Sequence, residues 1–136
     1  MHHTKVKGDL GVFKAQLDLF EQGFVILSPV TEHAPFDLVA YKDGLFRRVQ
    51  VKYKSVDRTG GITVHFRSVW ADKNGTHMRT VDKDEIDLYC IYCPDTDSCY
   101  YLDPKDYRRS VTLRVKTPGN NQSKHVRSAA EFRGVP

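Results

Sequence analysis

Pro35-Phe36-Asp37-Leu38-Val39-Ala40-Tyr41-Lys42, then Asp43-Gly44, then Leu45-Phe46-Arg47-Arg48-Val49-Gln50-Val51-Lys52-Tyr53, is the stretch that decides the fold. Two runs rich in β-branched and aromatic residues flank Asp-Gly. That dipeptide suits a two-residue hairpin turn, because both central residues need positive φ. The reading predicts strands over 36–42 and 45–53, with Lys42 opposite Leu45. Counting outward, Asp37 falls opposite Gln50. Opposed residues hold their Cβ atoms about 5 Å apart on one sheet face. Lys52 lies two residues beyond Gln50, so it shares that face and is a diagonal neighbour of Asp37. Val49, Val51 and Tyr53 take the other face, which reads as core.

Asp37, Gln50 and Lys52 thus converge on register alone. A carboxylate and an amide oxygen suit Mg²⁺, a hard cation that prefers oxygen ligands. A nearby ammonium can orient a water or neutralise developing phosphate charge. The bland alternative is a solvated hairpin face with a chance Asp–Lys pair. The setting argues against it: Asp37 sits within Phe36-Asp37-Leu38-Val39-Ala40, and an acid in an apolar strand needs a partner or a metal.

Upstream, Leu10, Phe13, Leu17 and Phe20 recur at steps of three and four, which predicts a helix over 9–22 with these residues on its apolar face. Gly23 ends it. Phe24-Val25-Ile26-Leu27 reads as a buried strand. Downstream, 62–67 reads as a strand and 68–77 as irregular, followed by strands at 88–93 and 99–102 around Pro94-Asp95-Thr96-Asp97-Ser98. A last strand is expected at 111–115, a loop at 117–122 and a short helix around 128–132. An N-terminal helix on a mixed central sheet with extra hairpins gives an α/β (or α+β) fold.

The chain has 136 residues, 40% hydrophobic and 28% charged, which fits one soluble domain over 1–136. No apolar run approaches the length of a membrane span, and no secretory signal is visible at Met1-His2-His3-Thr4-Lys5. A cytoplasmic location is expected. Net charge is +4, unevenly placed. Five bases crowd Arg47–Arg58, and 105–136 carries eight bases against two acids, with a basic arm at 117–136. Between them, 82–103 holds seven acids and only Lys83. Basic clusters are the footprint of a polyanion partner. Cys90, Cys93 and Cys99 give C-x-x-C plus one; a zinc site needs a fourth ligand, from His77 or His125. The alternation around Cys90 instead reads as a strand packed on both faces.

Pro35-Phe36-Asp37 followed by Gln50-Val51-Lys52 resembles the PD-(D/E)-X-K nuclease signature. With Lys7-Gly8 before the helix and Gly23-Phe24 after it, residues 1–55 are similar to the core of archaeal Holliday-junction resolvases. The Gln-X-Lys form, the opening five residues, and the stretches 89–101 and 111–122 resemble the small group I intron-encoded homing endonucleases of the same superfamily. The resemblance implies a restriction-endonuclease-like core and hydrolysis of DNA phosphodiesters with Mg²⁺, or with Mn²⁺ as its substitute. It implies Asp37 as central metal ligand, Gln50 in place of the usual acid, the Val51 carbonyl as a further ligand and Lys52 as the catalytic lysine. Such nucleases commonly carry a Glu in the first helix at the position of Val12. Asp9, one turn earlier, is the candidate to replace it as catalytic and metal-binding acid, against a role as helix N-cap; Glu32 is a second candidate.

Lys54, Arg58, Arg67, Lys73 and Arg79 are candidate DNA contacts, with Asn121, Gln122 and Lys124 in the arm. The expected function is a sequence-specific DNA endonuclease of homing type on double-stranded DNA. Cutting both strands favours a homodimer or homotetramer. The alternatives are a structure-selective junction resolvase and a non-catalytic DNA-binding or assembly protein on a nuclease-like core.

Overall fold

The computed structural model describes residues 4–116 and 127–136. The loop read at 117–122 and the candidates Asn121, Gln122 and Lys124 lie outside the described residues. Helix α1 spans Thr4–Glu21, so it begins earlier than the spacing predicts. Asp9 is therefore inside the helix and does not cap it. Gly11, Ala15 and Leu19 form its buried face. Of the predicted apolar face only Leu10 packs against the core; the rest points the other way, with Phe13 65%, Leu17 54% and Phe20 70% exposed. Close approach to the sheet explains the choice. A Cβ on Gly11 would already stand 3.5 Å from Val51 Cγ1 and 3.7 Å from Tyr53 Cβ, so only a small residue fits at that position. Gly23, at φ 94°, ends the helix, with the Phe24 N–H donating back to Leu19 O at 3.0 Å.

Strand β1 (Val25–Leu27) follows. It was expected to be buried, but it is the edge strand of a five-stranded sheet, and both Val25 and Leu27 are exposed. Phe24 alone of that run is buried. Strands β2 (Leu38–Lys42) and β3 (Leu45–Tyr53) pair antiparallel in the predicted register, from Lys42 with Leu45 to Leu38 with Val49. Asp43 at φ 53° and Gly44 at φ 82° make the turn. The regular ladder ends there: Asp37 lies just before β2, and its N–H donates to Val49 O at 2.9 Å, so it is not paired with Gln50 in the ladder as the register predicts.

The chain then leaves the sheet. Strand β4 (Gly61–His65) will later pair with β9 (Ser110–Arg114) as a separate two-stranded layer. Residues expected to be irregular form a second ribbon, β5 (Arg67–Asp72) with β6 (Gly75–Thr80). Asn74 N–H donates to Asp72 Oδ1 at its tip, where Gly75 takes φ 116°. The ribbon shows little hydrophobic alternation, and β6 has no buried face to specify: five of its six residues are exposed. The chain returns as β7 (Leu88–Cys93), parallel to β3, and β8 (Ser98–Leu102) closes the sheet in the order β1-β2-β3-β7-β8. The expected C-terminal helix is one 3-10 turn at Ala129–Phe132.

Both faces of β7 are covered. Leu88, Cys90 and Tyr92 join Leu38, Val49, Val51 and Leu19 in the core under α1. Tyr89, Ile91 and Cys93 join Ile62, Val64 and Leu113 in a second core under β4 and β9. Each large side chain so buried stabilises the fold by roughly 1.5–3 kcal/mol. The three cysteines are buried, unbridged and divided between the two cores, Cys90 and Cys99 in one and Cys93 in the other. That division removes the zinc reading.

Candidate active site

The side chains of Val49 and Val51 turn into the core beneath α1, so Gln50 and Lys52 project from the opposite face of β3. Asp37, at the mouth of β2, reaches the same place. Its Oδ2 accepts the Val51 backbone N–H at 2.7 Å and the Gln50 Nε2 at 3.1 Å. The structure thus brings together Asp37, Gln50 and Lys52. Burial pushes the Asp37 carboxyl above its ordinary value of 3.8, opposed by the Val51 N–H and by the charge of Lys52. Burial pushes the Lys52 ammonium below its ordinary value; Asp37 opposes the shift and the neighbouring Lys54 adds to it. An acid and a base, both drawn out of water and each acting on the other, are the pattern of a reactive site.

Hard oxygen donors are present in the Asp37 carboxylate and the Gln50 amide. Mg²⁺ is commonly held by one or two carboxylates while keeping several waters, so this donor set fits it. The fit is lean in charge. Among the described residues, no group of three or more His, Cys, Asp or Glu side chains is placed to hold a metal. Asp9 and Glu32 are both exposed, and no hydrogen bond or ion pair among the described residues joins either to Asp37, Gln50 or Lys52.

A cleft of about 150 Å³ opens beside Gln50, bounded by Pro35, Arg79, Val81, Asp82 and Glu85. Arg79 therefore belongs to the site's border. Lys54 follows directly on β3, its N–H donating to Tyr92 O. Arg58, Arg67 and Lys73 are exposed. Arg67 pairs with Thr80 and Arg79 with Ser68, adjacent positions that send the two guanidinium side chains to opposite faces of the ribbon.

Three residues escaped the sequence reading. Arg48, read as one of a basic cluster, is taken by Asp87: its backbone N–H and Nε donate to Oδ2 at 2.8 and 2.9 Å, and its Nη2 donates to Oδ1 at 3.0 Å. The Asp87 N–H in turn donates to Arg48 O, which seats the start of β7 on β3. Tyr89 is the cross-strand neighbour of Gln50 in that parallel pairing. No local signal exposes either contact, because both depend on a crossover through β4, β5 and β6.

A family model described as PD-(D/E)XK endonuclease matches residues 2–135. No match is found among curated proteins. Among solved structures, a bacterial homing endonuclease, I-Ssp6803I, superposes with a TM-score of 0.75 at 22% identity, over 96% of this chain and 88% of that one. That likeness confirms the restriction-endonuclease-like architecture of helix, mixed sheet and added hairpins. With the family match spanning nearly the whole sequence around the Asp37–Gln50–Lys52 cluster, the chain belongs to the PD-(D/E)XK endonucleases.

Proposed function

We propose that this endonuclease is a Mg²⁺-dependent, sequence-specific DNA nuclease of homing type, acting in the cytoplasm as a homo-oligomer. The observation that carries the reading is the Asp37 carboxylate, pinned by Val51 N–H beside the desolvated Lys52. Asp37, Gln50 and the Val51 carbonyl would hold the metal, with Asp9 or Glu32 as the added acid. The ion, when bound, supplies Lewis-acid stabilisation and an activated water. Lys52 does the chain's own share: its ammonium orients the attacking water and offsets the charge that gathers on the phosphate. Val51 N–H keeps the carboxylate from turning away. The homing character is carried over from I-Ssp6803I, a bacterial homing endonuclease of similar fold.

Lys54, Arg58, Arg67, Lys73 and Arg79, with Asn121, Gln122 and Lys124 in the arm, would line the DNA path. A two-stranded ribbon such as β5–β6 fits the major groove. The stripe Val6, Leu10, Phe13, Leu17 and Phe20, spaced by fours and threes, supports a second copy as partner. That spacing suits a two-helix seam, and an antiparallel pair of α1 helices would set Phe13 of one copy against Leu17 of the other. Val6, Phe13, Leu17 and Phe20 lie on the side of α1 away from the sheet, with Leu10 packed at the edge of the core, so pairing leaves the catalytic face open to a homodimer or homotetramer alike. Mg²⁺-dependent cuts at one sequence in a randomised duplex library test the reading. Cuts confined to a four-way junction would make the chain a resolvase instead.

A further inference from the structure

Tyr89 is fully buried, and its hydroxyl has no hydrogen-bond partner among the described residues. It is the one side-chain oxygen or nitrogen so placed among them. A buried hydroxyl without a partner is destabilising, and phenylalanine would fill the same ring space without it. The ring is well seated, edge-on to Phe66 at 5.0 Å between centroids. The residue borders the candidate site through the strand pairing. Tyr89 is paired with Gln50 across the parallel strands, so the two side chains rise from the same face as neighbours. The Asp37 charge reaches the phenol: burial, and after it Asp37, push its pKa up to about 12. The group is thus a neutral donor at every working pH.

We infer that the Tyr89 hydroxyl is held for an oxygen present only in the loaded site, a bound water or a phosphate oxygen, to which it donates. Tyr89 is then a positioning residue of the reaction. The inference rests on the Asp37–Lys52 reading of the site. It accounts for an unmet donor beside the catalytic carboxylate, and it adds a neutral hydrogen bond to a site with few acids.

The test is Tyr89→Phe in the full chain, with Lys52→Ala as reference. Four readouts are taken: melting temperature without metal, Ca²⁺ affinity without DNA, DNA affinity in Ca²⁺, and single-turnover cleavage in Mg²⁺. Melting should stay level or rise, because the lost hydroxyl had no partner. Cleavage should fall by about ten- to a hundredfold, as for one hydrogen bond to a charged group. Weaker Ca²⁺ binding without DNA would identify a bound water as the acceptor; weaker binding only of DNA would identify a phosphate oxygen. A lower melting temperature with unchanged cleavage and affinities would make the hydroxyl structural and overturn the inference. So would Tyr89→Phe matching the wild type in every readout while Lys52→Ala is inactive, which leaves the site reading intact. If Lys52→Ala cuts normally, the site reading itself fails. Should the wild type cut no substrate, the two affinities decide: unchanged values overturn the inference.

Discussion

Asp37 and Val51 are joined across the hairpin, carboxylate oxygen to backbone N–H, at 2.7 Å. Val51 faces both ways in this respect. Its amide holds the Asp37 carboxylate, while its side chain packs 3.5 Å from where a Cβ on Gly11 would stand. The seating of α1 and the position of Asp37 are therefore linked through one residue. Gly11→Ala should stabilise the protein by about 0.5–1 kcal/mol, because the methyl meets ordinary contact distances and alanine favours the helix. Gly11→Leu should cost about 1–3 kcal/mol by overpacking and slow cleavage as well. Denaturant titration and single-turnover kinetics on the two variants check both.

Asp37→Asn should separate stability from activity. The folded pKa of Asp37 lies above 3.8, so between 3.8 and that folded value the folded chain retains a proton that the unfolded chain has lost. Stability contributed by that protonation is full below the ordinary value and falls as pH rises through the folded one. The variant cannot ionise there, so its melting temperature at pH 7 should equal or exceed the wild type's. Its cleavage should fall by about 10²–10⁴-fold.

Arg48 and Asp87 predict an opposite pH response. Arg48 holds the Asp87 carboxyl below its ordinary value. That stabilisation is present above pH 3.8 and is lost as pH falls through the folded pKa. Asp87→Asn should lower stability at pH 7 by about 1 kcal/mol, the scale of a partly exposed pair. It should also flatten the loss of melting temperature between pH 5 and pH 2, roughly the window in which a paired carboxylate takes up its proton.

Phe13→Asp combined with Phe20→Asp should reduce the oligomer to a smaller species without unfolding it, since both rings are largely exposed. Sedimentation velocity and melting temperature together read this. An unchanged mass would remove the α1 stripe as the subunit contact.

The hairpin and its three catalytic candidates were legible because Asp43-Gly44 dictates a turn, and a turn dictates register. The strand packed on both faces at Cys90 was legible from the alternation of Cys90 and Tyr92 with Ile91 and Cys93. The buried side of α1 was not. Two stripes at helical spacing compete on it, and the line of Gly11, Ala15 and Leu19 wins because β3 lies too close to position 11 for a large side chain there. The β5–β6 ribbon escaped notice because exposed strands carry no alternation. Tyr89 and Asp87 could not be placed beside Gln50 and Arg48, because parallel pairing across a long crossover leaves no trace in local spacing.

The central claim is that Asp37 and Lys52 cut DNA with a divalent metal. Its most direct test is cleavage of a randomised duplex library and a four-way junction by wild type, Asp37→Ala and Lys52→Ala, each in Mg²⁺ and in EDTA. The account predicts wild-type cuts at one duplex sequence in Mg²⁺, none in EDTA, and none from either variant although both still bind DNA. Cleavage by either variant at the wild-type rate, or cleavage that persists in EDTA, would contradict it.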